Sequence, residues 1–557
     1  MTYNMTYNMT YKISCNTIKN TAFSCYNFIF ITVKRIKTIC FDLYCKTKYF
    51  VYFIIFLNII LINYLYYKLC NSTNNNLIIL LSYTINLNGC VIIKLVQWTS
   101  NQVVFLKNNN NNNNFISQLF SQYYENCYIH SFSYTKSLFY EEFGIKFDDF
   151  FELDTNYTIK SGSIAQVYKG IIKEPYNNVN NVNNVNDCVA IKVVHPEIKY
   201  QLIYPIYFLK IYYFFVSNFK CLKKYDTIYN FDTFFYNLEK QIDMTSEYAN
   251  NEYFYNKYYN HNIIVIPKPF MKSKNFLIME YIDGETIDNL NVSNYRKQII
   301  VCMISLFIKE TYLFGKYVHS DLHDGNWKIL KQHSPNKDYN HNHNYNYDEN
   351  VYKIIIYDFG YVIENKLHEN HQKIIYYLDT NNTYEVGNML FTNIQNLHIE
   401  YLNSQELERY REKFIYEFIT YNKEKYPDID SNYDSNYIAA YNFCHYNGYK
   451  LNNNIFDLFI STMLLHKCFT KYIFFTFNQD NNTFKKDNYF KAIYNLNLYY
   501  ISICDTYDIF HDVKKYINKQ YITNPFFSNI INYNNNYFDN LSNTLPNNLS
   551  NNLSITI

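Results

Sequence analysis

Short runs of β-branched, aliphatic and aromatic residues recur in the central part of the chain and predict strands. The clearest runs are Cys188 to Val194 (CVAIKVV), Asn275 to Ile282 (NFLIMEYI) and Tyr352 to Tyr357 (YKIIIY). Each run ends at a charged or glycine-bearing motif, which is how strands present chemistry at their ends. Apolar residues from Arg296 to Phe314 recur instead at a spacing of i, i+4, which predicts a helix. The predicted fold class is therefore α+β, with helices outside the strands.

A long uncharged segment from Tyr49 to Tyr67 predicts a further helix near the N-terminus. Lys48 and Lys68 flank this segment, and it is long enough to cross a bilayer as a helix. Its two asparagines, Asn58 and Asn63, and its many tyrosines favour a buried or interfacial helix nearly as much. Both interpretations remain open.

A second uncharged segment runs from Leu77 to Ile93. Asn86, Asn88 and Gly89 interrupt it, and its length is at the short limit for a membrane span. We therefore expect a helix that packs on the protein.

The N-terminus is basic and poor in acids. Residues 1 to 41 contain no Asp or Glu but carry basic residues among Ser, Thr and aromatic residues, namely Lys12, Lys19, Lys34, Arg35 and Lys37. This composition is typical of an organelle transit peptide. It predicts import into the mitochondrion, with a plastid-like organelle as the alternative.

The charge argues against a nucleic-acid-binding protein, and the cysteine pattern argues against a zinc-binding or disulfide-stabilised protein. The formal net charge is only +2 over 557 residues, which argues against a nucleic-acid binder held by phosphate contacts. The 13 cysteines are scattered and form no C-x-x-C pair. We therefore expect free thiols in a reducing compartment and neither a zinc site nor a disulfide framework.

Asparagine-rich segments interrupt the chain and are read as loops. They cover residues 108–114, 176–186 and 332–350, and a similar composition after Asn524 predicts a disordered tail. His341 and His343 lie in the third segment. A metal site is conceivable there, but solvated low complexity is the favoured interpretation.

Six polar residues and a glycine crowd the stretch VHSDLHDGN, although the whole chain has only 10 glycines. Asp321 and Asn326 within it have the D-x-x-x-x-N spacing of a kinase catalytic loop, and Asp358-Phe359-Gly360 follows the third predicted strand. Phosphoryl transfer needs a divalent metal on phosphate oxygens, and Mg²⁺ favours a few hard oxygen ligands. Asn326 and Asp358 would supply two ligands, which leaves Asp321 to orient or deprotonate the attacking hydroxyl.

A lysine and two glutamates upstream complete the kinase order. The sequence V-A-I-K places Lys192 on the first predicted strand, where it could bridge the α- and β-phosphates if a carboxylate held it. Glu247 is the candidate partner, and Glu280 ends the second predicted strand. Each motif alone could arise by chance, but the ordered set indicates a nucleotide site.

The segment before the first predicted strand departs from an ordinary kinase. In Ser161-Gly-Ser-Ile-Ala-Gln-Val-Tyr168 only one glycine stands where G-x-G-x-x-G is expected. The backbone therefore has fewer positive-φ choices with which to approach phosphates.

With these residues identified, the chain resembles the aarF-domain, or UbiB-like, atypical kinase family, from about Leu77 to about Lys366. Lys94-Leu-Val-Gln97 is similar to the family's K-x-G-Q signature, with Val96 in place of Gly. SGSIAQVYKG resembles its Ala-rich nucleotide loop, and HSDLHDGN its H-x-D-x-H-P-G-N loop, with Asp324 in place of Pro.

The resemblance implies further site residues. Cofactor-binding positions carried over from the nucleotide loop are Ser161, Gly162, Ser163 and Ala165. Lys94 and Gln97 would approach the nucleotide pocket, because in that family the K-x-G-Q segment folds over the active site and obstructs protein substrates. The family's E-x-D signature is Gln241-Ile-Asp243 here. We expect His319 and His323 to brace the loop backbone, and Trp98 and Trp327 to be packing anchors.

The resemblance also implies a domain organisation, that of an atypical protein-kinase-like bilobal fold with an N-terminal helical extension. The predicted segments are 1–48 for targeting, 49–70 for a transmembrane or interfacial helix, 71–150 for the helical extension, 151–290 for the N-lobe, 291–523 for the C-lobe and 524–557 for the disordered tail.

The predicted function is that of a membrane-associated, Mg-ATP-dependent phosphotransferase or ATPase. The resemblance links it to coenzyme Q (ubiquinone) biosynthesis or lipid handling, with ATP and Mg²⁺ as cofactors and the mitochondrial inner membrane as its site. The partners would be a lipid, a quinone-precursor small molecule or quinone-synthesis proteins, and no nucleic acid. The alternative is a nucleotide-gated pseudokinase scaffold with little turnover. A purely structural membrane protein is a third class.

Overall fold

The chain is represented by a computed structural model, and most of it is described. The described residues are 2–72, 74–103, 127–174, 188–218, 231–323, 325–333, 350–365, 373, 377, 382–395, 397, 399, 401–425, 435–452, 455 and 486–523. The asparagine-rich segments 108–114 and 176–186, His341 and His343, the C-terminal tail and Asp324 lie outside these residues, and so do the side chain of Trp98 and most of segment 332–350.

The chain divides into two compact units. One comprises residues 1–96 and 197–211, and the other comprises residues 97–196 and 212–557. The predicted segment boundaries stay predictions.

Long helices form the first unit. They are α1 (Thr2–Cys70), α2 (Asn75–Asn88) and the first half of α3 (Cys90–Val103), and the start of α6 (Ile198–Asn218) joins them. The helix α1 runs without a break through the predicted targeting segment and the predicted span. Its part Thr32–Cys70 is, among the described residues, the one helix long and apolar enough to cross a membrane. Length and composition alone permit this, and a signal sequence would meet the same criteria.

The prediction of a single helix from Leu77 to Ile93 is wrong. The structure has two helices there, which meet at Gly89. Gly89 has a φ of +76°, and a Cβ at this position would collide with the side chain of Gln201. Because other residues rarely adopt this conformation, the glycine ends one helix and lets the next begin in a new direction.

An antiparallel sheet forms the first part of the second unit. Its strands are β1 (Phe151–Leu153), β2 (Lys160–Ser161), β3 (Ala165–Ile172), β4 (Cys188–Val194), β6 (Pro269–Lys272) and β7 (Phe276–Glu280). The order is β1-β3-β4-β7-β6, and β2 pairs with β3. Aromatic residues of α4 (Phe132–Phe143) and α5 (Phe147–Phe150) cover one face, with Phe139 at the centre of the cluster.

After α6, two further helices lie between β4 and β6 in the sequence. They are α7 (Phe231–Gln241) and α8 (Met244–Lys257). Asp243 explains why α8 begins where it does, because its carboxylate accepts hydrogen bonds from the Thr245 backbone N–H at 3.0 Å and from the Thr245 hydroxyl at 2.7 Å.

The rest of the second unit is mostly helical and surrounds a central helix, α9 (Asn294–Phe314). The predicted helix is thus confirmed, and its isoleucines at 300, 304 and 308 are buried. One strand before α9 in the sequence and four strands after it form two small sheets. They are β5 (Ile264–Val265), β8 (Tyr317–His319), β9 (Trp327–His333), β10 (Asn350–Ile356) and β11 (Val362–Glu364). Their order is β5-β10-β9, with β8 pairing β11.

Five C-terminal helices complete the described part of the second unit. They are α10 (Thr383–Asn393), α11 (Ser404–Lys425), α12 (Ser435–Tyr446), α13 (Lys486–Tyr507) and α14 (His511–Thr523). The last two pack on α9, and the first three pack on one another. The three predicted strands are confirmed as β4, β7 and β10. Nine of the cysteines are free thiols, namely Cys40, Cys45, Cys70, Cys90, Cys127, Cys188, Cys302, Cys444 and Cys504.

Candidate nucleotide-binding and catalytic site

A lysine held between two carboxylates marks the candidate site. The Lys192 ammonium lies 2.7 and 2.9 Å from the two Glu247 carboxylate oxygens and 3.0 Å from Asp358 Oδ1. The ion pair predicted between Lys192 and Glu247 is therefore present. Lys192 belongs to β4, Glu247 lies in the first turn of α8, and Asp358 lies two residues after the end of β10.

Burial differs sharply among these three side chains. The exposed fraction of the side chain is 2% for Glu247, 12% for Lys192 and 42% for Asp358. Burial lowers the pKa of Lys192, but the adjacent Asp358 and Glu247 carboxylates outweigh it, so the pKa lies above its ordinary value. Lys192 therefore stays cationic.

The backbone around Asp358 is held in an unusual conformation. Asp358 has a φ of 54°, and its Oδ1 accepts a hydrogen bond from the Gly360 backbone N–H at 3.2 Å. The intervening Phe359 is buried and packs on Phe254 of α8, with ring centroids 4.9 Å apart. The same helix contributes Asn250, whose side-chain N–H donates to the Phe359 carbonyl at 2.9 Å.

The sequence interpretation missed Asn250 and Phe254. Asn250 lies three residues after Glu247, and Phe254 lies seven residues after Glu247. All three residues therefore share one helix face. That spacing is the signal that would have found them once Glu247 had been placed on a helix.

The predicted catalytic loop is held by its own backbone. The Asn326 side-chain N–H donates to the Asp321 carbonyl at 2.7 Å, and the Tyr357 backbone N–H donates to the Asn326 carbonyl at 2.8 Å. This second bond places Asn326 beside the residue that precedes Asp358. Because its amide nitrogen is occupied, Asn326 presents its amide oxygen as the atom suited to a cation.

Two histidines brace this loop, as expected. His319 Nε2–H donates to the Tyr357 carbonyl at 3.2 Å, and His323 Nδ1 accepts from the Gly325 backbone N–H at 3.1 Å. Burial lowers the pKa of His319, which keeps its ring neutral. Trp327 is buried in the core, as a packing anchor would be.

The donor chemistry at Asp358 and Asn326 fits Mg²⁺. One carboxylate and one amide oxygen leave room for waters and phosphate oxygens, which is the coordination that Mg²⁺ prefers. Among the described residues, no group of three or more His, Cys, Asp or Glu could hold a metal ion, so an all-protein cage of such side chains is not offered there.

The remaining predicted cofactor-binding residues fall into three places. Ser161, Gly162, Ser163 and Ala165 lie at the tight turn between β2 and β3. The Glu280 carboxylate accepts from the Lys268 backbone N–H at 3.1 Å, and the Glu280 backbone N–H donates to the Lys268 carbonyl at 2.8 Å, so its predicted contact with a nucleotide stays a prediction. Lys94 and Gln97 belong to different units of the chain, and their approach to the pocket stays a prediction.

A family comparison agrees with this geometry. Residues 123–390 match the model of the ABC1 atypical kinase-like domain. This chain carries an ABC1 atypical kinase-like domain. The resemblance to the aarF-domain, or UbiB-like, kinases is thereby confirmed, and so is the mixed helix and sheet fold class. The match lies C-terminal to the K-x-G-Q-like segment and extends beyond Lys366, where the resemblance was expected to weaken.

Three curated proteins are similar to this chain at low identity. The chain is 25% identical over 261 residues to the ABC1 family protein YPL109C, mitochondrial, of Saccharomyces cerevisiae, covering 44% of this chain and 39% of that protein. It is 23% identical over 244 residues to the ABC1 family protein MCP2 of the same yeast, covering 42% and 40%. It is 24% identical over 246 residues to the probable serine/threonine-protein kinase abkB of Dictyostelium discoideum, covering 40% and 33%. The chain thus spans between a third and two fifths of these relatives' lengths.

Solved structures are similar only distantly. The complex of Rv3197 with erythromycin from Mycobacterium tuberculosis has 15% identity and a TM-score of 0.34, covering 53% of this chain and 70% of that one. The Rio2 kinase from Chaetomium thermophilum has 11% identity and a TM-score of 0.24, covering 48% and 63%. At these scores the structures add nothing to the family assignment.

Several histidines within the ABC1 domain have lowered pKa values, and we therefore expect acid to lower the free energy of unfolding. Burial lowers the pKa of His130 to about 3 and that of His261 to about 4, and it also lowers the pKa of His195. Below about pH 6.5 the unfolded chain binds protons that the folded chain cannot, so the free energy of unfolding falls as the pH falls. His130 and His261 each contribute about 2 kcal/mol of loss between pH 7 and pH 5, and the lowered pKa of His195 acts in the same direction.

Urea unfolding at pH 7, 6 and 5 would measure this loss. We expect His130→Gln to remove about one histidine's share of the pH dependence. The exposed His511, whose side chain is 62% exposed, supplies the control His511→Gln, which should leave the dependence unchanged. An unfolding free energy that stays constant from pH 7 to pH 5 would contradict the prediction.

Proposed function

We propose that the chain is a Mg-ATP-dependent phosphotransferase or ATPase. The observation that carries this proposal is the Lys192 ammonium within 3.0 Å of carboxylates from two separate elements, Glu247 and Asp358. A buried lysine poised in this way is a ready ligand for phosphate oxygens. The ABC1 atypical kinase-like domain supports the same assignment.

Each side chain has a distinct proposed role. Glu247 orients Lys192, and Lys192 binds the α- and β-phosphates. Asp358 and Asn326 hold Mg²⁺, which when bound supplies positive charge against the phosphate oxygens. Asp321 orients the attacking hydroxyl or water and accepts its proton at the carboxylate. Phe359, packed on α8, keeps the Asp358 backbone in place.

The proposed setting is a mitochondrial membrane, and the proposed acceptor is a lipid or a quinone precursor. One of the curated relatives carries the word mitochondrial in its name. The basic, acid-poor N-terminus and the apolar helix Thr32–Cys70 favour import and membrane attachment, with the inner membrane as the site. A role in ubiquinone biosynthesis or lipid handling rests on the family resemblance, and a plastid-like organelle is the alternative compartment.

A nucleotide-gated scaffold is the second candidate, and one observation favours it. The turn between β2 and β3 has a single glycine, Gly162, so its backbone cannot follow phosphates as a glycine-rich loop does. In this alternative, ATP binding changes the shape of the protein and assembles quinone-synthesis proteins or lipids with little turnover.

Turnover of radiolabelled ATP separates the two candidates. The full chain is incubated with Mg²⁺ and γ-labelled ATP, alone and with a mitochondrial lipid extract, and label is counted in free phosphate and in the organic phase. We expect Asp321→Asn to bind Mg-ATP as the wild type does while turnover falls by about 10²- to 10⁴-fold, because it lacks the proton acceptor. The surface variant Asp148→Asn serves as the control, since this side chain is 63% exposed.

The outcomes point in different directions. Label in the organic phase would establish a lipid-soluble acceptor, and label in free phosphate alone would establish an ATPase. Binding of Mg-ATP without turnover in the wild type would favour the scaffold. Absence of binding in folded protein would overturn both candidates.

A further inference from the structure

A chain of hydrogen bonds between buried side chains lies behind the turn that joins β2 to β3. His130 and His195 are 3% and 5% exposed, and their Nδ1 atoms lie 2.9 Å apart. At one end His195 Nε2 lies 3.0 Å from the Gly162 carbonyl. At the other end His130 Nε2 lies 3.0 Å from the Thr135 hydroxyl. The proposed mechanism uses none of these side chains.

The Gly162 carbonyl fixes the position of every proton in this chain. A carbonyl oxygen can only accept, so His195 Nε2 carries a hydrogen and donates it. In a neutral ring the His195 Nδ1 then accepts, so His130 Nδ1 must donate. His130 Nε2 consequently accepts from the Thr135 hydroxyl. With both rings neutral, every donor in this arrangement has an acceptor, and charging both rings would bring the two Nδ1–H groups face to face.

The chain continues without conflict beyond Thr135. The Thr135 hydroxyl lies 2.9 Å from the Tyr168 hydroxyl, which accepts in turn from the Gln166 side-chain N–H. The Gln166 carbonyl oxygen accepts from the His130 backbone N–H at 2.9 Å. Burial lowers the pKa of both histidines, which agrees with neutral rings. A fully paired buried network of this kind is rigid.

His195 contacts the turn at three points. Its ring Nε2 lies 3.0 Å from the Gly162 carbonyl and 3.3 Å from the Ser161 hydroxyl, and its backbone N–H donates to the Ile164 carbonyl at 2.9 Å. Two neighbouring carbonyls are also engaged, because Ser161 accepts from the Cys127 backbone N–H at 2.8 Å and Ala165 accepts from the Gly162 backbone N–H at 2.9 Å. These carbonyl oxygens therefore face protein donors. Because these carbonyl oxygens point into the protein, their negative charge does not repel an anion bound at the turn.

The turn lies close to the lysine of the candidate site. Val167 pairs with Lys192 in the register of β3 and β4, and Ala165 pairs with Val194. The turn therefore begins about 7 Å along the strand from the Lys192 position, at roughly 3.3 Å per residue. That distance is within the reach of the phosphate groups of one nucleotide.

We propose that His195, oriented by His130, is a positioning residue that fixes the Ser161–Ala165 turn for the phosphates of a bound nucleotide. The bracing takes the place of the glycines that this turn lacks. This inference rests on the proposed nucleotide site, and it adds residues that act on the phosphates through the turn rather than by contact.

Two variants of one residue test the proposal. In His195→Asn the shorter amide can still pair with His130 but cannot reach the Gly162 carbonyl, whereas in His195→Gln the longer amide can donate to it. Binding of adenosine, ADP and Mg-ATP to the full chain is measured by titration calorimetry. His261→Leu replaces a half-buried histidine whose Nδ1 accepts from the Ile264 backbone N–H, away from the turn, and serves as the control.

A loss specific to phosphates is the expected result. His195→Asn should weaken ADP and Mg-ATP binding about tenfold while adenosine binding stays within twofold, because one hydrogen bond to the turn is lost. His195→Gln should stay within about threefold for all the ligands. The control should leave the ratio of ADP to adenosine affinity unchanged.

Other outcomes would overturn the proposal. Equal losses for adenosine and ADP in His195→Asn, or identical behaviour of the Asn and Gln variants, would reduce the network to a purely structural role while leaving the nucleotide site intact. A wild type that binds no nucleotide would remove the proposed function and this inference together.

A measurement on the wild type covers the case in which the variants fail to fold. Hydrogen–deuterium exchange of the peptide covering residues 160–166 should be slow before any nucleotide is added, because the network holds the turn in advance. Exchange that is fast in the free protein and becomes slow only with Mg-ADP would contradict the proposal.

Discussion

Replacement of Asp358 by asparagine is expected to abolish the metal-dependent part of ATP binding without unfolding the protein. At 100 times its dissociation constant, a ligand raises the free energy of unfolding by about 2.7 kcal/mol. We expect the wild type to show a stabilisation of this size with Mg-ATP and Asp358→Asn to lose it. Turnover should fall by at least about 10²-fold, because the variant lacks the only carboxylate among the proposed metal ligands.

The fold should tolerate this change because of where the charge lies. The Asp358 side chain is 42% exposed, and Lys192 keeps its contacts of 2.7 and 2.9 Å with Glu247 when Asp358 is neutral. No buried charge is left alone. Asparagine also retains an oxygen that can accept from the Gly360 backbone N–H.

Thermal unfolding of both proteins measures the effect, with ATP plus Mg²⁺, with ATP plus EDTA, and without nucleotide. Equal stabilisation of the wild type by ATP in Mg²⁺ and in EDTA would show that Asp358 and Asn326 hold no metal. The Lys192 site would then bind ATP by charge alone.

Predictability along this chain follows the strength of the local pattern. The strands β4, β7 and β10 and the helix α9 are predictable because apolar residues dominate them and a charged or glycine-bearing motif closes each one. The segment from Leu77 to Ile93 is equally apolar, yet it forms two helices. The positive φ of Gly89 and its contact with Gln201 decide this, and both depend on tertiary structure.

The candidate site divides in the same way. Lys192, Glu247, Asp321, Asn326 and Asp358 are predictable because their order and spacing are those of a kinase. The residues that hold them are not.

Asn250 and Phe254 meet Phe359 only because α8 packs beside the chain that follows β10. His130 and His195 are 65 residues apart, and nothing local in the sequence indicates that their rings touch. Short sequence motifs thus predict the residues that would bind the ligand. The residues that hold those side chains in place depend on tertiary packing, which the motifs do not predict.

Replacement of Lys192 by methionine should destabilise the protein even without nucleotide. Glu247 is 2% exposed, so removal of the ammonium leaves its carboxylate buried without this cation and with the Asp358 carboxylate nearby. Breaking a buried ion pair from one side costs about 3 kcal/mol or more. Urea unfolding in the absence of nucleotide measures this cost.

A matched control lies on the neighbouring strand. Lys169 of β3 pairs with Asp154 at 3.0 Å, but the two side chains are 24% and 32% exposed. Because solvent screens such a pair, Lys169→Met should cost much less stability than Lys192→Met. A similar cost for Lys169→Met and Lys192→Met would show that the burial of Glu247 has no energetic consequence.

The double variant Lys192→Met with Glu247→Gln separates stability from function. Glu247→Gln replaces the buried Glu247 carboxylate by a neutral amide, so the double variant should recover a large part of the lost stability. It should nevertheless bind Mg-ATP no better than Lys192→Met, because neither protein has an ammonium for the phosphates. If the double variant is as unstable as the single one, the loss comes from packing around the lysine stem rather than from charge. If it regains Mg-ATP binding, Lys192 is not the phosphate ligand and the proposed function loses the observation on which it rests.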